Sequence, residues 1–285
     1  MPGLSPTPDH LAVLLRLLDD ETPEVRESLE EAFAPFGGDV SELLGDSPVR
    51  LSDQELETLS ELLLPARRRR LRREWIVPVA GLPALEEDWD RFESMLRMLS
   101  DYLHDGVALR QPLGDAIDLL AEDTEEAFYR GGAPAVVSRL LGERIIRTDP
   151  RGEFDARHLE LAAVAAGAPS NAVGCGLVTL LVARRLGASI SAINLPGAFF
   201  LSVEGNDGPT VLDPGSRGVP IEEEEFRHRI RRYPKEIQLL AHRPATPGEL
   251  LLRVTEELAT CFAVNEQDDD ARLMEELVVS LIGQA

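Results

Sequence analysis

The chain has 285 residues, 44% of them hydrophobic, which is enough to bury a sizeable core and sets the expectation of one large domain or two modest ones. Its 51 acidic against 29 basic residues give a net charge of -22, with Lys235 the single lysine. Such a field disfavours nucleic acid and anionic membrane over most of the surface, and fits solubility or a salty cytoplasm.

Cys175 and Cys261 lie far apart in sequence, so no disulfide framework is expected and a reducing compartment is. The stretch "MPGLSPTPDH" lacks a basic and an apolar region, so no secretory leader is expected and the location reads as cytoplasmic.

The first half reads as helix after helix. "HLAVLLRLL" and "TPEVRESLEEAF" form an antiparallel pair like one unit of a helical repeat, with Thr22 as N-cap and Pro23 in the first helical position. Val25, Leu29, Ala32, Phe33 and Phe36 make one apolar stripe at helical spacing. A third helix starts near Asp53 and runs into the arginine cluster from Arg67 to Arg73. Arginine clusters bind phosphates and acidic partners; on so acidic a chain, docking onto its own Glu-rich helices or simple solvation competes with that reading. The stacking aromatics that single-stranded nucleic acid prefers are missing. A fourth helix puts Trp89, Phe92, Leu96, Leu99 and Leu103 on one face, and "LGDAIDLLAED" and "PAVVSRLLGERI" add two amphipathic segments. No strand pattern precedes residue 185.

The run from Leu161 to Ala183 carries no charge, but Pro169, Ser170 and Asn171 break it. Neither half reaches the roughly 20 apolar residues of a membrane span, so two buried helices are expected. After "VARRLG" the pattern changes: "ASISAINL", "AFFLSVE" and "PTVLD" are short, apolar and separated by turn residues, and read as a small antiparallel sheet. Helices return in "PIEEEEFRHRIRR", in "TPGELLLRVTEELATCF", which opens with a Thr246 and Glu249 capping box, and from about Ala271 to Ile282. The fold class is therefore α+β, mostly helical. The expected divisions are a helical region 1-75, a helical region 76-150, a mixed core 151-235 and a helical hairpin 236-285.

Cys175 stands in the Gly-rich start of an apolar helix, where the helix N-terminus lowers a thiol pKa and offers backbone donors for an oxyanion. Cysteine is also among the most buried residue types, so packing is the competing account. A nucleophilic thiol needs an imidazole and a carboxylate to orient it. Of His10, His104, His158, His228 and His242, only His158 and His228 lie near this block, and each is expected to be an exposed helical residue. None pairs at metal-ligand spacing, so no metal site and no cofactor are expected; "EQDDDAR" lacks the Gly and terminal Glu of a calcium loop.

The segment "ARRLGASISAINLPGAFFLSVEGNDGPTVLDPGS" resembles the SirB-type branch of the transglutaminase-like superfamily, whose members carry a helix ending in Arg-Arg-Leu-Gly, a Pro-Gly-His-Phe turn and an Asp-Pro pair. "LELAAVAAGAP" is similar to the segment leading into the same helix, and the C-terminal hairpin resembles a tetratricopeptide remnant. The resemblance implies a core of that fold between HEAT-like and tetratricopeptide-like helices. The catalytic candidates are therefore Cys175, from its place at a helix start, and Asp213, which the resemblance implies at the Asp-Pro position, with Pro196, Gly197, Ala198, Phe199 and Pro214 as the binding rim. Two departures stand out: Ala198 occupies the family's histidine position, and the nucleophile position counts back to Ala172, about one turn before Cys175. Loss of both groups costs on the order of 10⁴ to 10⁶ in rate, because such groups act as a unit. The expectation is a degenerate module that binds a protein or peptide partner. A Cys175-dependent amidase or acyl transferase, and a plain helical scaffold, remain as alternatives.

Overall fold

The computed structural model describes residues 7–20, 22–47, 49–149 and 154–283. The first six residues, which belong to the stretch read as lacking a leader, lie outside them. The chain forms two compact units: one from the chain up to Ile76 together with His104–Arg110, the other from Val77–Leu103 and from Gln111 onward.

In the first unit, α1 (Pro8–Leu15), α2 (Pro23–Phe33), α3 (Ser41–Gly45) and α4 (Asp53–Glu74) follow one another. Leu11, Leu14 and Leu15 of α1, Leu29 and Phe33 of α2 and Leu59, Leu62 and Leu63 of α4 share one core, the stripe expected of the helix pair. Thr22 occupies the N-cap of α2 but spends its hydroxyl on Asp20 rather than on a helix N–H. The arginine cluster is used inside the unit. Arg67 is buried and donates to the carbonyls of Asp105 at 2.6 Å and Ser60 at 3.3 Å, while Arg70 and Arg73 reach Glu74.

The second unit begins with α5 (Trp89–Leu103) and α6 (Leu113–Val137). The two segments expected after α5 are two helical stretches within α6, separated at Gly132, whose φ of 65° and ψ of -155° lie outside the helical region and suit glycine; the second passes into a π-helical turn over Ser138–Gly142. β1 (Arg147–Thr148) then pairs in parallel with β2 (Pro169–Ser170), which corrects the expectation of no strand before residue 185. Two residues per strand are too few for alternation to register in the sequence. Between and after them lie α7 (Leu161–Ala165) and α8 (Ala172–Leu186), the two buried helices expected of the uncharged run. Among the described residues no helix is long and apolar enough to cross a membrane.

The expected antiparallel sheet follows, with β3 (Ile190–Leu195), β4 (Ala198–Gly205) and β5 (Gly208–Leu212) in the order β3-β4-β5. Leu195 pairs with Ala198 across Pro196 and Gly197, and Gly197 at φ 73° supplies the left-handed second position that follows proline in a type II turn. The chain closes with α9 (Glu223–Ile230), α10 (Lys235–Gln238), α11 (Pro247–Val264) and α12 (Asp268–Ile282). The Thr246 and Glu249 capping box opens α11 as expected. Tyr102 of α5 donates to buried Asp270 of α12.

The centre of this unit is α8, buried on every side from Val173 to Ala183, which is why it has no polar face. Its last turn is clamped by the Arg-Arg-Leu-Gly sequence. Arg184 lies over the Trp89 ring at 4.5 Å, Arg185 holds Glu93 and Asp118 through contacts of 2.6 Å, and Gly187 ends the helix in the left-handed region. Its first turns approach the sheet so closely that a Cβ on Gly176 would stand 2.3 Å from the Phe199 ring and 3.3 Å from Pro214.

Gly176→Ala is expected to lower unfolding free energy by about 1–3 kcal/mol through overpacking, read as a lower urea midpoint with unchanged m-value. Arg185→Gln is expected to cost about 1 kcal/mol, a loss that shrinks in high salt because the contacts are partly exposed.

Candidate functional site

Helix α8 starts at Asn171. Its side-chain oxygen accepts from the Gly174 N–H at 3.0 Å, and its amide donates to Glu257 on α11. At this end opens a cleft of about 750 Å³. Ala172 and Val173 of α8, Gly197, Ala198 and Phe199 of the hairpin, and Asp213, Gly215 and Ser216 after β5 form one side of it. Thr148, Asp149 and Ser170 from the short parallel pair, with Arg253, Glu256, Glu257 and Thr260 of α11, form the other.

Ala172, Ala198 and Asp213 therefore share one cleft. The turn after β5 lies against the start of α8, since a Cβ on Gly215 would be 3.4 Å from the Ala172 methyl. The Asp213 carboxylate accepts the Gly215 N–H at 2.7 Å and the Ser216 hydroxyl at 3.4 Å, so it caps the turn that presents it. Gly197, Ala198 and Phe199 line the cleft, whereas Pro196 and Pro214 stand beside it: the Pro196 carbonyl accepts the Tyr233 hydroxyl at 2.9 Å, and Pro214 packs under Gly176.

Cys175 is in the wrong place for attack. It is fully buried, one turn into α8, and its thiol donates to the carbonyls of Arg147 at 3.6 Å and Ser170 at 3.9 Å. Burial pushes the thiol up to about 12, and the nearby Asp213 charge acts in the same direction. The helix start was expected to lower this pKa, and desolvation reverses it. Burial likewise raises Cys261 to about 11, helped by the charges of Glu257 and Asp155; both cysteines are free.

His158 corrects a second expectation. It is buried, in the single turn Ala156–Leu159, with its Nε2 3.9 Å from an Asp149 oxygen. The cause is the grip on its backbone: its carbonyl accepts the Ser170 hydroxyl, and a Cβ on Gly174 would come within 2.3 Å of that oxygen. His228 is exposed on α9, as expected. No histidine lines the cleft among the described residues.

The α11 wall went unread in the sequence, although Arg253, Glu256, Glu257 and Thr260 repeat at the spacing of one helix face. Attention to the apolar stripe of that helix hid its polar one. The wall makes the cleft acidic. Asp149, Asp213, Glu256 and Glu257 face one cation, Arg253, and that one is occupied by Glu257 at 3.1 Å and the Leu195 carbonyl at 3.2 Å. Among the described residues no three His, Cys, Asp or Glu groups come together in a way that could hold a metal ion.

UPF0162 proteins of two strains of Xylella fastidiosa are each 26% identical to this chain over 173 residues, 58% of the chain and 62% of the relative. The chain thus spans less than two thirds of the length of these curated relatives. No solved structure matches it. Residues 120–256, which take in α8, the sheet and the cleft positions 172, 198 and 213, match the model of the transglutaminase-like superfamily, so the chain contains a transglutaminase-like domain.

Proposed function

We propose that this transglutaminase-like domain, of the SirB type, is catalytically silent and serves as a binding module for a peptide segment of a partner protein in a reducing cytoplasm. One observation carries the reading: Ala172 and Ala198 line the same cleft as Asp213. By resemblance these are the positions of a nucleophile, a base and the carboxylate that orients the base. A methyl group neither attacks a carbonyl nor takes a proton, so two of three roles are empty while the cleft between them is kept. Its volume of about 750 Å³ falls within the range of ligand sites. Asp213 keeps a task without chemistry, as the cap of its own turn.

The burial of Cys175 supports silence over a Cys175-dependent amidase or acyl transferase. Such an enzyme needs a thiolate that meets substrate with an imidazole in reach, and this thiol meets two backbone carbonyls. The open cleft speaks against a plain scaffold.

Incorporation of a fluorescent amine into casein, and hydrolysis of a glutamine aryl-amide, are expected to stay at background for the wild type and for Cys175→Ala alike. Turnover that disappears in Cys175→Ala overturns the proposal. Iodoacetamide at neutral pH is expected to leave Cys175 unmodified in the folded protein, while Ala172→Cys gains a thiol that reacts faster by about tenfold or more, because its first-turn position faces the cleft. The thiol pKa of Cys175 also has a linkage consequence. Raised in the fold from 9.0 to about 12, it contributes stability that is complete below pH 9 and is lost as pH climbs toward 12. The alkaline fall in unfolding free energy is therefore expected to be shallower in Cys175→Ala, measured by urea titration from neutral pH upward.

A further inference from the structure

Beside the cleft lies a second hollow of about 530 Å³, and its charge has the opposite sign. Its walls are His228, Arg229, Arg232 and Tyr233 with Glu225, over a floor that includes Phe200. Ala198 lines both spaces. Arg229 is paired with Glu225 at 2.6 Å. Arg232 is different: its guanidinium has no carboxylate within 4.0 Å among the described residues and donates to Nε2 of His228 at 3.3 Å. On a chain of net charge -22, this hollow sets two guanidinium groups against one carboxylate and so carries a local positive charge.

We infer that this hollow is an anion subsite of the peptide-binding cleft, which takes a carboxylate carried by the bound segment after it has passed over the Ala198 methyl. The inference rests on the peptide-binding reading above and adds a polarity to it. An anionic group is repelled by Asp149, Asp213, Glu256 and Glu257, whose one facing cation is already paired, and meets a guanidinium with no carboxylate partner on the far side of Ala198. A basic group on the same segment is accommodated by the acidic cleft. Ala198 is the residue common to both linings, with Phe199 next to it in the cleft and Phe200 in the hollow, so a segment that reaches from one space to the other crosses the strand edge at position 198. The ligand class is therefore a peptide with a basic and an acidic residue a few positions apart, and Arg232, which can offer a carboxylate two parallel N–H donors, fixes its acidic end.

The test uses fluorescent decapeptides of uncharged, lysine-bearing, glutamate-bearing and mixed composition, with binding followed by anisotropy. The mixed set is expected to bind tightest to the full chain. Arg232→Glu is expected to weaken that set by about tenfold or more and to leave the lysine-bearing set nearly unchanged, with partial recovery in Arg232→Lys. Arg232 is exposed, so unchanged thermal melting separates this effect from misfolding. If peptides bind but Arg232→Glu leaves the mixed and glutamate-bearing sets unaffected, the subsite is overturned and the cleft reading stands. If no set binds, both fall. Protection of the hollow by inorganic phosphate with no discrimination among peptides assigns the anion to a small molecule and also overturns the inference.

Discussion

The start of α8 is gripped from two sides, and the site depends on that grip. Gly174 admits the carbonyl of His158 and the hydroxyl of Ser170, where a Cβ would come within 2.3 Å of the first and 2.1 Å of the second. Gly176, on the opposite face, admits the Phe199 ring and Pro214. Each glycine costs a helix about 0.5–1 kcal/mol against alanine, a loss offset by the contacts it permits. With the helix fixed between β2 and the β4 hairpin, its first residue, Ala172, has no choice but to face the space between Ala198 and Asp213. The Arg184 and Arg185 clamp at the other end sets the axial position of the same helix. Sequence features far from the cleft thus decide what the cleft contains.

The same geometry separates a thiol from a nucleophile. A helix N-terminus is worth about 0.3–1 kcal/mol to a charge in its first turn. Raising a thiol from 9.0 to about 12 corresponds to about 4 kcal/mol against the thiolate. Desolvation wins by a wide margin. At residue 175 the chain is already inside the packed body of the helix, whereas at residue 172 it is at the mouth of the cleft, and three residues make the difference between the two environments. A glycine-rich helix start is therefore a poor guide to thiol reactivity unless the turn on which the sulfur sits is known.

That lesson shows what was legible in the sequence. The sheet was readable because Ile190–Leu195 and Ala198–Gly205 are apolar runs separated by a Pro-Gly turn, and the terminal hairpin because Thr246 and Glu249 mark a helix start. The convergence of residues 172, 198 and 213 followed from the resemblance to a known family, and local pattern alone gave no hint of it. Three features stayed hidden because long-range packing makes them. The pairing of Arg147–Thr148 with Pro169–Ser170 is too short to leave a period. His158 looks like a surface residue beside Arg157 but is drawn inward by the hydroxyl of Ser170 and the absence of a side chain at Gly174. The polar face of α11 is an ordinary solvated helix face until the cleft opposite it is known. In each case a partner remote in sequence gives the residue its meaning.

Asp213 shows how the turn after β5 keeps its shape without help from an imidazole. In a working triad a carboxylate is held in place partly by the imidazole it orients. Here its oxygens are satisfied by the Gly215 N–H and the Ser216 hydroxyl within its own turn. The carboxylate is consequently not an unpaired charge beside the Ala198 methyl, and the turn that follows β5 packs against Ala172. Because the cap is local, the position of Asp213 does not depend on what stands at residues 172 and 198, and the three line one cleft whichever side chains occupy the other two.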